Sequence, residues 1–268
     1  MARDRVRANL RVVFEPTDAF KGKVALVTGA GSGIGQAAAV EFASRGARVV
    51  VSDISSEGVA RTAGSILERG GDALPLVADV SVRGDVDRLV GEAVSSFGGL
   101  DFAFNNAGIE GDSADTSSCT EENWDRVIDV NLKGVWLCMR AQIPVMRTRG
   151  QGVIVNNASV AGLVGFRDLP AYCASKGGVV ELSRAAALEC APSGIRVNSV
   201  CPGVIRTPMV ERVIAGDPET AAAIAAMEPV GRMGTPEEIA SAVLWLCSPG
   251  AGFVTGHALV VDGGLTAQ

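Results

Sequence analysis

The residues best suited to chemistry include the only tyrosine of the chain, Tyr172, which is followed four residues later by Lys176. In a helix this spacing places both side chains on one face. A free phenol has a pKa of about 10, and a nearby ammonium lowers it because opposite charge favours the phenolate. The pair is therefore a candidate to take or give the proton of an alcohol or a ketone. In isolation, the pattern more often marks a partly buried tyrosine beside an incidental surface lysine.

A serine lies where it can assist this pair. Ser159 directly follows the fifth predicted strand and precedes Tyr172 by thirteen residues. Ligands of parallel sheets bind at the carboxyl ends of the strands, so the Ser159 hydroxyl is placed to hold a substrate oxygen beside the phenol. Without this context, such a serine would more often be a helix cap or a loop hydroxyl.

A glycine-rich turn follows the first predicted strand and leads into a helix. Its residues 28–35 read TGAGSGIG, with glycines at 29, 33 and 35. The strict G-x-G-x-x-G pattern fails because Ile34 occupies the third glycine position. The physics is unchanged: glycines let a phosphate approach the backbone, and the helix N-terminus offers N–H groups and a positive dipole. The alternative is a structural turn that only permits tight packing.

An acidic residue at the end of the second predicted strand indicates which dinucleotide would bind. Asp53 follows Gly29 by 24 residues, near the spacing of about 20 residues typical of an acid that binds the adenosine ribose. A carboxylate there repels a 2′-phosphate, and Ser32 in the turn offers that phosphate no basic partner. Both features favour NAD over NADP. The alternative is that Asp53 caps the next helix, although Ser55 and Ser56 can do so.

Short apolar runs alternate with helical spacing along the chain. The predicted strands are 24–28, 48–52, 74–78, 100–104, 153–157, 196–200 and 258–261. The predicted helices are 33–45, 55–69, 82–97, 122–146, 170–189, 221–226 and 236–246. Continuous apolar strands separated by helices indicate a parallel sheet that is covered on both faces. The fold class is therefore α/β, a doubly wound (Rossmann) parallel sheet of about seven strands with helices on both faces.

Residues 1–20 differ from the rest, with arginines and little periodicity, and are predicted to form a flexible tail. Residues 21–268 are predicted to form one domain. The net charge of −6 argues against general nucleic-acid binding, which needs a basic surface. The longest uncharged stretch, 239–261, is interrupted by Ser248-Pro249-Gly250, so no membrane span is expected.

Cysteine and histidine usage excludes two classes of site. The six cysteines form no C-x-x-C pair and His257 is the only histidine, so no zinc site is expected. A Ser-His-Asp hydrolase is disfavoured because no G-x-S-x-G motif occurs. Scattered thiols are typical of a reducing compartment, which predicts a cytoplasmic location.

Several motifs occur together in a fixed order: TGAGSGIG at 28–35, NNAG at 105–108, Ser159, YCASK at 172–176 and PGVIRT at 202–207. From about residue 21 to 264, the chain resembles the short-chain dehydrogenases/reductases of the compact, single-domain branch. The resemblance implies that Tyr172 is the general acid/base and that Lys176 lowers its pKa and binds the nicotinamide ribose. It further implies that Ser159 polarises the substrate oxygen and that Asn131 holds a water of the proton relay.

The resemblance also implies a set of residues that contact NAD. They are Gly29, Ser32, Gly33, Ile34 and Gly35 of the turn, Asp53 and Ile54 after strand two, Asp79 and Val80 beside the adenine, Asn106, Ala107 and Gly108 along the cofactor, Tyr172 and Lys176, and Pro202, Gly203, Ile205 and Thr207 at the carboxamide.

The resemblance implies that the substrate loop, at about 206–228, closes over the substrate, and the apolar content of this loop predicts a hydrophobic cyclic alcohol or diol. Arg206 and Arg212 could instead meet a carboxylate or a phosphate, although solvated helix charges are the plainer interpretation. The resemblance implies a homotetramer that packs through the helices 122–146 and 170–190. Two alternatives stay open: an NADPH-dependent 3-oxoacyl-thioester reductase, which Asp53 opposes, and a catalytically silent NAD-binding sensor.

Overall fold

Within residues 19–267, which a computed structural model describes, seven parallel strands form one sheet in the order β3-β2-β1-β4-β5-β6-β7. The strands are β1 (Val24–Thr28), β2 (Arg48–Asp53), β3 (Asp72–Val77), β4 (Phe102–Asn105), β5 (Gly152–Asn157), β6 (Ile195–Pro202) and β7 (Ala258–Val261). Side chains of β1 alternate between two cores, with Ala25 and Val27 in one and Val24 and Leu26 in the other, because successive residues of a strand point to opposite faces. The predicted doubly wound fold is confirmed.

Helices cover both faces of this sheet. They are α1 (Gly33–Ser44), α2 (Ser56–Glu68), α3 (Arg83–Phe97), α4 (Glu121–Ile128), α5 (Gly134–Arg149), α6 (Pro170–Cys190), α7 (Pro208–Ile214), α8 (Pro218–Ala226) and α9 (Pro236–Cys247). The core with α1, α2 and α9 lies on one face, and the core with α3, α5 and α6 on the other. Among residues 19–267, no helix has the length and hydropathy needed to cross a bilayer.

The prediction of one regular helix over 122–146 is wrong. Helices α4 and α5 are separated by a π-helical turn, Asp129–Lys133, in which the N–H of Gly134 donates to the carbonyl of Asp129. Such turns occur frequently at functional sites. The apolar pattern of a long helix does not reveal one wider turn, because the pattern resumes after it. The strand ends, in contrast, lie within two residues of their predicted positions.

The domain begins earlier than predicted. Phe20, assigned to the tail by sequence, is 2% exposed, and its ring lies 5.7 Å from that of Phe42 and 5.3 Å from that of Phe102 between centroids. Burial of an aromatic ring is a large hydrophobic contribution, so Phe20 belongs to the packed core. Ala19 packs against the same core, and residues 1–18 of the predicted tail lie outside the described residues.

Candidate active site

A cavity of about 620 Å³ opens at the carboxyl ends of the strands. It is lined both by the glycine turn after β1 and by Ser159, Tyr172 and Lys176. The topology explains this meeting, because loops that follow parallel strands all emerge at the same edge of the sheet. The glycine turn and the group of Ser159, Tyr172 and Lys176, which the sequence predicts separately, therefore line the same cavity.

The glycine turn is built tightly between β1 and α1. Gly29 has a φ of +62°, which favours glycine, and a Cβ at Gly35 would overlap the carbonyl oxygen of Gly29. The side-chain amide of Asn106 donates to the carbonyls of Thr28 and Gly29 at 3.0 and 3.1 Å. The turn thus presents the first N–H groups of α1 to the cavity, an arrangement that suits a phosphate.

Asp53 is held at the same end of the cavity. Its carboxylate accepts from the N–H of Gly31 and from the N–H of Ser55, both at 2.9 Å. The hydroxyl of Ser55 accepts from the N–H of Gly58 at 3.1 Å and thereby caps α2. The alternative that Asp53 caps this helix is wrong, and its carboxylate lines the cavity instead.

One basic residue near this carboxylate was not found by sequence reasoning. The Arg61 guanidinium donates to the carbonyl of Gly31 at 2.9 Å and lies 3.7 Å from the Glu57 carboxylate. Thirty positions separate Arg61 from the glycine turn, and only the packing of α2 against the turn brings them together. The prediction that the glycine turn has no basic partner considered Ser32 alone and is wrong, because Arg61 contacts the turn.

The proposed proton-transfer residues cluster around the start of α6. Lys176 is 3% exposed. Its ammonium donates to the carbonyl of Asn157 at 2.8 Å and lies 5.6 Å from the centroid of the Tyr172 ring. Ser159 is 9% exposed, and its hydroxyl accepts from the N–H of Ala161 at 3.1 Å. The i, i+4 spacing predicted for Tyr172 and Lys176 thus gives a close pair.

Burial dominates the electrostatics of this pair. It raises the pKa of the Tyr172 phenol to about 12, with the Ser159 hydroxyl opposing the shift and Glu110 adding to it. Burial lowers the pKa of the Lys176 ammonium to about 8. Burial therefore outweighs any lowering of the Tyr172 pKa by Lys176, because loss of water disfavours both charged forms, and the predicted effect of Lys176 on the phenol stays a prediction.

Alkaline titration tests this effect of burial directly. Tyr172 is the only tyrosine, so the near-ultraviolet absorbance of phenolate reports on it alone. The folded pKa of about 12 exceeds the unfolded value of about 10. The fold therefore favours the protonated phenol, and this contribution to stability is complete below pH 10 and lost as the pH approaches 12.

We expect the phenolate signal of the folded chain near pH 12 and that of the denatured chain near pH 10. Circular dichroism at each pH identifies the folded range, and Tyr172→Phe gives the baseline. A phenolate signal at or below pH 10 from a folded chain would contradict the effect of burial.

Asn131 lies in the π turn and is fully buried. Its side chain donates to the carbonyl of Ile109 at 2.8 Å and to the Ser175 hydroxyl at 3.1 Å, and it accepts from the N–H of Ile109 at 2.8 Å. It therefore joins the segment after β4 to the start of α6. Its proposed part in a proton relay stays a prediction.

Most predicted contact residues line the cavity, and a few do not. Those that line it are Gly29, Ser32, Gly33, Ile34, Asp53, Ile54, Asn106, Ala107, Gly108, Ser159, Tyr172, Lys176, Pro202, Gly203, Ile205 and Thr207. Those outside its lining are Gly35, Asp79, Val80 and Asn131. The Asp79 carboxylate accepts from the N–H and the hydroxyl of Ser81 at 2.9 and 2.7 Å, which stabilises the turn after β3.

Helices α7 and α8 form a lid whose two ends are joined beneath it. The N–H of Val204 donates to the Glu228 carboxylate at 2.6 Å. The N–H of Arg206 donates to the carbonyl of Gly234, and the N–H of Gly234 to that of Val204, both at 2.9 Å. The lid thus leaves and rejoins the fold at one point beside the cavity.

Comparisons with known sequences and structures find similar proteins. A family model described as enoyl-(acyl carrier protein) reductase matches residues 29–266. A cyclohexanol dehydrogenase of Acinetobacter sp. (strain SE19) is 45% identical over 249 residues, which cover 93% of this chain and 97% of that protein. A levodione reductase of Leifsonia aquatica is 41% identical over 259 residues, covering 94% and 97%. A crystal structure of levodione reductase matches with a TM-score of 0.90 at 40% identity, covering 92% of this chain and 99% of that one.

Proposed function

Because the chain belongs to the short-chain dehydrogenase/reductase family, we propose that it interconverts a secondary alcohol and a ketone with NAD. The family comprises oxidoreductases that use NAD or NADP and act on CH–OH groups. One observation carries the proposal: a single cavity contains the glycine turn with Asp53 and the cluster of Ser159, Tyr172 and Lys176.

The residues of this cavity fit a nicotinamide dinucleotide. The N-terminus of α1 suits the pyrophosphate, and the fixed Asp53 carboxylate is an acceptor for ribose hydroxyls. The segments Asn106–Gly108 and Pro202–Thr207 line the way from that end toward Tyr172. A carboxylate at the ribose end disfavours an added 2′-phosphate, which supports NAD over NADP.

When bound, the nicotinamide ring supplies or accepts the hydride. Tyr172 donates its proton to the carbonyl oxygen during reduction and takes the hydroxyl proton during oxidation. Ser159, beside the phenol, holds the same oxygen. Lys176 lies close enough to stabilise the phenolate that forms, since opposite charge favours it. Asn131 fixes the position of the start of α6 through Ser175.

The residues that line the cavity around Tyr172 favour an apolar substrate. Phe166, Leu169, Met209, Ile224 and Met227 line the cavity there. Met209 and Ile224 belong to the lid and Met227 directly follows it, so a carbon ring would be enclosed largely by apolar atoms. The similar proteins named above as acting on cyclohexanol and levodione support the same substrate class, a cyclic secondary alcohol or its ketone.

The direct test is NADH formation with cyclohexanol, measured by absorbance, with NADP run in parallel. The reverse reaction uses cyclohexanone with NADH. We expect turnover in both directions with NAD and much less with NADP. Turnover with NADPH and a 3-oxoacyl thioester but not with ring alcohols would instead identify a thioester reductase. Tight NAD binding without turnover of any substrate would identify a sensor.

We also propose that the chain assembles as a homotetramer through α5 and α6 and that it functions in a reducing compartment. Exposed Trp136 on α5 and Leu188 on α6 support the assembly, with 48% and 80% of their surfaces accessible. All six cysteines are free. Light scattering is expected to give a mass four times that of the chain, and a monomer mass would contradict the proposed assembly.

A further inference from the structure

The described residues that line the cavity include two aspartate or glutamate carboxylates, one at each end. Asp53 lies beside the glycine turn, and Glu110 lies on the side of Tyr172. Among residues 19–267, the Glu110 side chain takes part in no hydrogen bond and no salt bridge, and it is half-buried. Both of its oxygens are therefore available to a hydrogen-bond donor within the cavity.

The backbone on both sides of Glu110 is fixed by a buried asparagine. Asn131 exchanges two hydrogen bonds with Ile109, each of 2.8 Å. Asn123 exchanges two with Asp112, of 2.8 and 3.0 Å. Such paired bonds hold a segment in one conformation, and a site whose supporting residues are fixed pays little ordering entropy on binding.

Gly111, the residue after Glu110, also helps to fix the backbone of this segment. Gly111 has a φ of +84°, and a Cβ there would lie 2.5 Å from Val127 Cγ2. The segment that carries Glu110 therefore packs directly on α4.

Glu110 and Tyr172 line the same cavity, and their charges are coupled. The Glu110 charge raises the pKa of the Tyr172 phenol, so the two groups are within interaction range. Burial raises the pKa of Glu110 itself, and Arg212 of the lid opposes this shift. A half-buried carboxylate has lost part of its hydration, and a hydroxyl donor that replaces the lost water stabilises it.

We propose that Glu110 accepts a hydrogen bond from a second hydroxyl group of the substrate, which makes cyclic diols the preferred substrate class. This inference rests on the proposed function, because it assumes that the first hydroxyl is oxidised at Tyr172. Phe166, Leu169 and Met209 then contact the carbon ring between the two hydroxyls.

A substrate carboxylate held by Arg212 is the competing possibility. It is disfavoured because such a carboxylate would approach the Glu110 charge, and close like charges are costly. Arg212 is also exposed on the lid, where an ion pair contributes little. The observations therefore favour a donor group on the substrate over an acid group.

The test compares kcat/KM with NAD for cyclohexanol, for the three positional isomers of cyclohexanediol and for 4-hydroxycyclohexanecarboxylate. A hydrogen bond to a charged group changes binding by about 10–100-fold. We expect the best diol to exceed cyclohexanol by at least about 10-fold, well beyond the factor of two that its second reactive hydroxyl supplies.

Two substitutions assign this preference to the side chain. Glu110→Leu is expected to reduce the ratio of diol to cyclohexanol to about two, because it leaves only the statistical factor. Glu110→Gln keeps a neutral acceptor and is expected to give an intermediate ratio. Glu122→Gln, which removes an exposed carboxylate from α4, is the matched control and is expected to keep the wild-type ratio.

The outcomes separate the inference from the function on which it rests. Turnover of cyclohexanol without a preference for any diol, or a preference that survives Glu110→Leu, would overturn the inference and leave the proposed function standing. Preference for the carboxylate substrate that is lost in Arg212→Ala would also overturn it. No turnover of any probe would overturn both. Cyclohexanol turnover by each variant shows that it is folded.

Discussion

Replacing Tyr172 by phenylalanine is expected to lower kcat by about 10²–10⁴-fold, the range of general acid–base catalysis. The change removes one hydroxyl and keeps the ring, so packing of the ring near Lys176 at 5.6 Å is preserved. The chain has no other tyrosine that could replace it. The loss is expected in kcat because the proton is transferred in the transition state.

The measurement pairs steady-state turnover of cyclohexanol with NADH binding, followed by fluorescence. The variant is expected to bind NADH with an unchanged Kd, because the glycine turn and Asp53 lie at the other end of the cavity. Near-normal turnover would refute the role of Tyr172. Loss of both turnover and NADH binding would indicate a disturbed cavity, and Ser159→Ala then serves as a second probe of the same oxygen.

Replacing Asp53 by asparagine is expected to reduce the preference for NAD over NADP by about 100-fold or more, since like charges brought together cost several kcal/mol. Two effects combine. The variant loses a charged acceptor for the ribose, which weakens NAD, and it no longer repels a 2′-phosphate, which strengthens NADP. Arg61, bonded to the Gly31 carbonyl, is then a cation placed to receive that phosphate.

This second effect can be isolated by a double substitution. Asp53→Asn with Arg61→Ala is expected to lose most of the NADP activity that Asp53→Asn gains, while the NAD activity of the two variants stays similar. The matched control is Glu68→Gln, which removes the charge of an exposed carboxylate at the far end of the same helix. An NAD to NADP ratio that is unchanged in Asp53→Asn would show that another group selects the cofactor.

The sequence predicts those parts of the molecule that depend on local pattern. The seven strands follow from short apolar runs, and the meeting of Ser159 with Tyr172 follows from the rule that strand ends share one edge. The π turn at Asp129–Lys133 could not be predicted, because one extra residue within a turn leaves the apolar spacing on either side intact.

The electrostatic properties of the site could not be predicted from the sequence, because they depend on packing. Spacing puts Lys176 beside Tyr172 but does not show that both are buried, and burial reverses the expected direction of the phenol pKa. Arg61 and Glu110 were missed for a related reason. Neither belongs to a motif, and each reaches the cavity region only through contacts between distant segments, of α2 with the glycine turn and of Asn131 with Ile109.

The three hydrogen bonds beneath α7 and α8 make that part of the chain a closed ring. The entropy lost on joining the ends of a loop grows with the logarithm of its length. Here the loss occurs during folding, when Val204 bonds to Glu228 and Gly234 pairs with Val204 and Arg206. Closing over a substrate then requires only the ordering of a ring that is already formed, so less of the binding energy is used for it. The affinity of the enzyme for its substrate thus depends partly on these hydrogen bonds beneath the lid, which do not involve the substrate.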